Sequence, residues 1–175
     1  VRVPYEHRPG PCDTGIVQRT SVQHDDGATI AEAVAFANAR GVLVFAAAGN
    51  DGKANSVDHP AALEEATAVG AVSRRKELAE FSDRGRQLDL VAPGVEMKSC
   101  WIEGGYATIS GTSMATPWAA GMFARRLSLE LAVFGEIRTK GAEGVKALLE
   151  LHCDDMGATG HDPEFGYGFL NVATF

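Results

Sequence analysis

The apolar residues of this chain form short runs and helical repeats that alternate along the sequence. Residues 42–48 are all apolar and are bounded by glycines, a pattern typical of a fully buried parallel strand. Just before them, apolar residues at helical spacing predict a helix that ends near Gly41. The members of this repeat are Ile30, Ala33, Val34 and Ala37. Further strands are predicted at 16–22, 67–73 and 88–94.

The second half of the chain predicts a hairpin and two helices. The hairpin covers 95–110, one helix runs from near Ser113 through Leu131, and another covers 143–152. Because strands alternate with helices, we expect an α/β fold with a doubly wound, mostly parallel sheet and helices on both faces. Residues 1–14 are rich in Pro and Gly, and we expect them to form an arm or loop.

Composition and charge narrow the class of protein. The 175 residues fit one globular domain, and the hydrophobic fraction of 45% excludes a disordered chain. The net charge of −7 argues against nucleic acid or an anionic membrane as a partner. No window approaches the roughly 18–20 apolar residues of a membrane span. The cysteines stand far apart in sequence and form no metal-binding pair, so no metal site is predicted from them.

Segment 109–121, ISGTSMATPWAAG, carries the strongest chemical signal. Ser113 lies between small residues, which would let a substrate backbone approach its hydroxyl. Because Pro is tolerated in a first helical turn, Pro117 predicts a helix that starts close to Ser113. Backbone N–H groups at a helix start can stabilise an oxyanion. By itself, however, a Gly-Thr-Ser triplet is more often an ordinary helix cap.

Asn50 is the second candidate, because it follows the buried strand at 42–48. The carboxyl ends of parallel strands are where open α/β sheets place their ligands. The side-chain amide of Asn50 could donate a hydrogen bond to a developing negative charge. By itself, an Asn-Asp-Gly sequence is more often a simple turn.

Together, the two segments resemble the subtilisin-like serine proteases, the subtilase family. GTSMATP at 111–117 matches the nucleophile motif of that family, and AAAGNDG at 46–52 matches its oxyanion-asparagine motif. Shorter matches in the family's order lie at 60–61, 68–72, 81–85, 91–94 and 166–172. The resemblance extends from about Gly15 to the end. It implies that residues 1–175 are the C-terminal portion of a subtilisin-like peptidase domain whose N-terminal part is missing, and the first residue, Val1, fits this expectation.

The resemblance also implies roles for individual residues. Ser113 would be the nucleophile, and Asn50 would donate its amide to the tetrahedral intermediate beside the N–H of Ser113. An edge segment would pair with the extended substrate, and small residues would form the opposite wall of the specificity pocket. The edge segment consists of Ser21, Val22 and Gln23, and the wall consists of Ala47, Ala48 and Gly49. Gln23 replaces the usual Gly and would narrow or cover the pocket, while the small wall residues suit a roomy, apolar pocket.

The catalytic base and its aspartate are not found among the motifs of this chain. A serine is a weak nucleophile without a base, and the family carries its His and Asp upstream of the region that matches here. Asp13 has the letters of the family's aspartate motif, but flanking Pro and Gly favour a turn. His24 lacks the family's HGTH neighbours and is interpreted as a loop residue. The histidines that match no base position are His59, His152 and His161.

Three hypotheses follow. The first is a serine endopeptidase that works through an acyl-enzyme intermediate, with its base and aspartate supplied by a segment or chain not present here. The second is a catalytically inactive subtilisin-like binding or assembly domain. The third is a self-contained triad of Asp13, His24 and Ser113. We favour the first, because a protein without activity need not keep a nucleophile and an oxyanion site.

The same resemblance bears on ligands, partners and location. No cofactor is predicted, and calcium is possible by family resemblance only, since Glu64-Glu65 and Asp154-Asp155 lack the spacing of a calcium loop and are interpreted as solvated. The expected partners are a polypeptide substrate and a complementary N-terminal subtilase segment or chain. The resemblance favours an extracellular location.

Overall fold

Six strands form one sheet in the computed structural model, which describes residues 16–19 and 27–175. The strands in chain order are β1 (Ile16–Arg19), β2 (Leu43–Ala47), β3 (Thr67–Val72), β4 (Leu88–Pro93), β7 (Cys153–Asp154) and β8 (Phe169–Leu170). Their order across the sheet is β1-β2-β3-β4-β8-β7. All neighbours are parallel except β7, which runs antiparallel to β8.

Three helices and a separate hairpin complete the described part of the chain. The helices are α1 (Gly27–Asn38), α2 (Thr112–Phe134) and α3 (Gly141–His152). The hairpin pairs β5 (Met97–Cys100) with β6 (Tyr106–Ile109) across a single 3-10 turn. Of the helices described, none combines the length and apolar character that crossing a bilayer requires.

β2 shows why the sheet carries helices on both faces. All five of its residues are buried, so the strand is covered on both sides. Leu43 and Phe45 join the apolar cluster of α2 and α3, and the Phe45 ring lies 5.1 Å from the ring of Phe123. Val44 points the other way and packs with Val34 of α1. The period-2 alternation of the strand therefore distributes its side chains between two helix layers.

Most predicted elements are confirmed, with shifted bounds. The α/β class, the parallel strands and the hairpin are as expected, while α1 begins at Gly27, before the apolar repeat. The strand predicted at 16–22 is seen at 16–19, and its remainder, like the arm at 1–14, lies outside the described residues. Pro117 was expected in the first turn of its helix but is the sixth residue of α2, in the second turn. There its ring nitrogen has no proton to donate to the Ser113 carbonyl, four residues earlier.

Asp89 is a buried carboxylic acid inside β4. The register between β3 and β4 shifts at Ala68, and the Ala68 N–H donates to Asp89 Oδ2 at 2.7 Å. Burial raises the pKa of Asp89 to about 6, although this hydrogen bond and the nearby charges of Lys146 and His161 lower it in part. The folded protein therefore holds this proton at a pH where an unfolded chain has released it.

We predict that Asp89→Asn removes a pH-dependent loss of stability. Because the folded-state pKa is raised, ionisation of Asp89 destabilises the fold as the pH rises through about 4 to 6. Relative to the variant, the wild type should lose roughly 2–3 kcal/mol of unfolding free energy between about pH 4 and pH 7. Urea denaturation of both proteins across this range measures the difference. A constant difference would contradict the assigned pKa.

Candidate active site

Asn50 stands just beyond the carboxyl end of β2. The chain continues as an extended segment, with Ala48 N–H donating to the Val69 carbonyl at 3.0 Å, and then turns at Gly49, whose φ is +120°. A Cβ at Gly49 would overlap Asp83 Oδ2, so both the backbone angle and the close carboxylate require glycine. This turn carries Asn50 out of the buried strand to an exposed position.

The position of Ser113 is set by a contact between the segment that follows β4 and the segment that follows β6. The Gly111 N–H donates to the Gly94 carbonyl at 2.8 Å, and α2 begins at the next residue. Gly94 is tightly enclosed, since a Cβ there would lie 2.7 Å from Ala71 Cβ and 2.8 Å from the Gly111 carbonyl oxygen. Ser113 is the second residue of α2 and is half-buried. Its position exposes it to the positive end of the helix dipole.

Thr112 joins the Asn50 turn to the start of α2. Its backbone N–H donates to Asn50 Oδ1 at 2.8 Å, and its hydroxyl lies 3.0 Å from the same oxygen. The hydroxyl is also 3.3 Å from the Gly49 carbonyl oxygen and 3.4 Å from the Gly49 nitrogen, and the whole residue is buried. This role of Thr112 is not predicted from the sequence, where the only signal is its position beside Ser113.

These contacts orient two hydrogen-bond donors. Because a backbone N–H can only donate, Thr112 fixes Oδ1 of Asn50 on its side and directs the Nδ2 group away from it. Around the start of α2, Met114 N–H donates to the Gly111 carbonyl at 3.0 Å, whereas the Ser113 N–H finds no acceptor among the described residues. The Asn50 amide and the Ser113 N–H are thus adjacent donors beside the Ser113 hydroxyl, an arrangement suited to binding an oxyanion.

None of the histidines among the described residues is hydrogen-bonded to Ser113. His161 Nε2 lies 2.8 Å from the Leu88 carbonyl oxygen, and His152 packs its ring against Phe175 at 5.7 Å. His59 is exposed, and within the described residues no hydrogen bond joins any histidine to Ser113. The alternatives at Asp13 and His24 lie outside the described residues.

Ala47 and Ala48, two of the three residues predicted to form a pocket wall, are 1% and 0% exposed. Their role in substrate binding stays a prediction, and any substrate at this position would meet their backbone and the space near Gly49. The opposite segment, Ser21 to Gln23, lies outside the described residues, and its role stays a prediction.

Three carboxylates gather beside the Asn50 turn, and the sequence analysis did not predict this. One oxygen each of Asp51, Asp58 and Asp83 lies within 4.8 Å of the others. Lys53 Nζ lies among them, 2.6 Å from Asp51, 3.1 Å from Asp58 and 3.9 Å from Asp83. Hydrogen bonds to Asp51 and then Asp58 hold the pKa of Lys53 above its ordinary value. The group is able to hold a cation, and an ammonium already lies in it. We call these three residues the acidic trio.

The two acidic pairs that were considered for calcium do not belong to the acidic trio, and their contacts differ. Asp154 accepts a hydrogen bond from Lys76 Nζ at 2.7 Å and another from Asn171 Nδ2 at 2.7 Å, which lower its pKa. Asp155 is exposed and accepts a bond from the Gly160 N–H at 2.9 Å. Glu64 lines an open cavity of about 520 Å³ that also contains Asp89 and Lys146.

Comparison with known proteins identifies the family of this site. The sequence profile of the Peptidase S8 or subtilase family matches residues 10–168. The chain belongs to the subtilase family. It is 38% identical over 145 residues to the minor extracellular protease Epr of Bacillus subtilis (strain 168), a match that covers 83% of this chain and 21% of Epr. It is also 36% identical over 139 residues to proteinase T of Parengyodontium album, covering 79% of this chain and 47% of that protein.

A solved structure agrees with this assignment. The prenylagaramide maturation protease PagA superposes with a TM-score of 0.73 and 29% identity, over 87% of this chain and 57% of that one. The subtilase chain described here therefore spans between about a fifth and about half of the length of the two curated relatives named above.

We predict that Thr112→Val weakens the connection between the Asn50 turn and the start of α2. Valine keeps the volume of threonine but removes the hydroxyl, and the Gly49 backbone loses a buried partner. The unfolding free energy should fall by about 1–3 kcal/mol, which chemical denaturation measures. Thr112→Ser, which retains the hydroxyl, is the matched control and should lose less. A loss in Thr112→Ser as large as that in Thr112→Val would contradict the prediction, because the methyl group would then stabilise the turn as much as the hydroxyl does.

Proposed function

We propose that this chain supplies the nucleophile and the oxyanion hole of a serine endopeptidase. The observation that carries the proposal is the hydrogen-bonded contact from Asn50 Oδ1 through Thr112 to the start of α2, because it brings the amide of Asn50 next to Ser113. Membership of the subtilase family supports peptide hydrolysis as the reaction, and a polypeptide as the substrate.

In the proposed mechanism, Ser113 Oγ attacks the carbonyl carbon of a peptide bond and its proton passes to a histidine base. The carbonyl oxygen becomes an oxyanion that accepts hydrogen bonds from Asn50 Nδ2 and from the Ser113 N–H. Collapse of this intermediate breaks the C–N bond, and the base returns its proton to the departing amine. Water then attacks the acyl-enzyme while the same base accepts its proton, the ester C–O bond to Ser113 breaks, and the base returns the proton to Ser113 Oγ.

The base and the aspartate that orients it are proposed to come from a complementary N-terminal subtilase segment or chain. Two features support this assignment. The histidines of the described residues are engaged elsewhere or exposed, and Ser113 is only half-buried at the beginning of α2. Ser21, Val22 and Gln23 are proposed to pair with the extended substrate. The name of the relative Epr, an extracellular protease, supports an extracellular location.

An inactive binding or assembly domain is the second candidate. It is favoured by one observation, that no base is hydrogen-bonded to Ser113 within the described residues. It predicts affinity for peptides without hydrolysis, so the two candidates differ in whether Ser113 reacts.

The test is labelling of Ser113 by an active-site phosphonate in the full-length protein. We expect covalent modification of Ser113, detected by mass spectrometry of the digested protein. Asn50→Ala should slow peptide turnover by about 10²–10³, the known cost of removing this donor in subtilisin. Asn38→Ala is the matched control, because it also removes a bonded amide, the one that accepts from Ala142 N–H at 2.7 Å at the start of α3.

The control should change stability but not the rate of turnover at a temperature where both variants are folded. Absence of labelling in the full-length protein would reject the endopeptidase proposal and leave the binding domain. Equal rates for Asn50→Ala and Asn38→Ala would reject the role of Asn50 in the oxyanion hole.

A further inference from the structure

The acidic trio has more carboxylate groups than the ammonium group beside it can pair with. Three carboxylates surround one ammonium, that of Lys53. The side chain of Asp83 is fully buried, and its Oδ2 has no hydrogen-bond partner among residues 16–19 and 27–175, although Oδ1 accepts from the N–H groups of Asp51 and Lys53 at 3.1 and 2.7 Å. A buried carboxylate oxygen without a donor is costly. This oxygen faces the place where Lys53 Nζ lies at 3.9 Å.

The acidic trio is also next to the proposed reacting atoms. A Cβ at Gly49 would lie 2.9 Å from Asp58 Oδ2 and would overlap Asp83 Oδ2. Gly49 immediately precedes Asn50, and Asp51 immediately follows it. Thr112 at the start of α2 contacts Gly49 and Asn50, and Gly49 also contacts Asp58 and Asp83. The backbone of Gly49 and Asn50 therefore lies between the oxyanion donors and the carboxylates.

We propose that the acidic trio forms the floor of a subsite for a basic side chain, Lys or Arg, on the substrate residue whose carbonyl is attacked. The proposal rests on the proposed function and names its substrate class. A residue whose carbonyl oxygen lies at Asn50 has its own side chain one residue from Gly49, close to the partly exposed carboxylates of Asp51 and Asp58, with the buried Asp83 behind them. This differs from the apolar pocket that the small residues at 47–49 predict.

Lys53 demonstrates that the acidic trio fits an alkylammonium group. Its Nζ makes close contacts of 2.6 and 3.1 Å with Asp51 and Asp58. The Lys53 side chain is 42% exposed, so it can leave the site for solvent without disrupting packed structure. The Asp58 carboxylate is bonded within the described residues only to Lys53. Lys53 is therefore a replaceable occupant, and a substrate cation would take its position.

Binding of two product-like peptides to the full-length protein tests the proposal. The peptides share one sequence and end in Arg or in Leu, and fluorescence anisotropy gives their dissociation constants. We expect the Arg peptide to bind about tenfold more tightly, as one charge-assisted pair allows. Asp58→Asn should remove most of this preference. Glu136→Gln, which deletes the same charge beyond the far end of α2, is the matched control and should leave the preference unchanged.

Lys53→Gln is the second variant. It should strengthen binding of the Arg peptide and leave the Leu peptide unchanged, because the competing ammonium is gone. Equal binding of the two peptides by the wild type, or equal effects of Asp58→Asn and Glu136→Gln, would overturn the proposal. Weaker binding of the Arg peptide by Lys53→Gln would also overturn it.

Turnover of the same peptides, extended beyond Arg or Leu, is measured separately. Preferential binding of Arg without turnover would reject the endopeptidase function and keep the subsite. Turnover with equal binding would keep the endopeptidase and reject the subsite. The two proposals therefore fail by different observations.

Discussion

The hydrogen bonds between Thr112 and Asn50 Oδ1 are the interaction on which the site depends. They connect two segments that are 62 residues apart in sequence, and they fix the orientation of an amide that is otherwise exposed. Without them, the Asn50 turn and the start of α2 would be joined by the longer contacts of the Thr112 hydroxyl with Gly49 and by the packing of the sheet. With them, Nδ2 of Asn50 faces away from Thr112 and the Ser113 N–H is left for another acceptor.

The sheet makes this contact possible. β2 and β4 are parallel, so the Asn50 turn and the Gly94 segment leave the sheet at the same edge, with β3 between them. Gly94 then receives the hairpin at Gly111, and its lack of a side chain permits the close approach. The apolar core of β2, α2 and α3 lies under this edge and keeps the first turn of α2 in position. A polar site is thus built at the boundary of a buried parallel sheet, where backbone groups at strand and helix ends remain available.

Local patterns were sufficient for the elements that bury a continuous apolar surface. β2 was predicted because a run of apolar residues bounded by glycines has few other structures available, and α1 because of its helical repeat. β7 and β8 are two residues each and leave no pattern, since their pairing depends on the rest of the fold. The helix predicted to start close to Ser113 begins at Thr112, but Pro117 lies in its second turn and not in its first, because the packing of a long helix can outweigh one missing backbone hydrogen bond.

The candidate site was only partly predictable for the same reason. Ser113 and Asn50 were identified from motif letters, but Thr112 could be found only from its tertiary contacts. The acidic trio combines Asp51 and Asp58 with Asp83, which reaches them because the chain after β3 returns to the Gly49 turn, where Asp83 N–H donates to the Gly49 carbonyl at 3.1 Å. Glu64 and Glu65 are acidic neighbours in sequence, whereas the carboxylates of Asp51, Asp58 and Asp83 come together only through the fold.

A crystal structure of the full-length protein after reaction with a phosphonate tests the oxyanion site. We expect a covalent bond from phosphorus to Ser113 Oγ, with one phosphoryl oxygen within hydrogen-bond distance, about 3 Å, of both Asn50 Nδ2 and the Ser113 nitrogen. An adduct whose phosphoryl oxygen points away from Asn50, with the Thr112–Asn50 hydrogen bonds intact, would contradict this expectation.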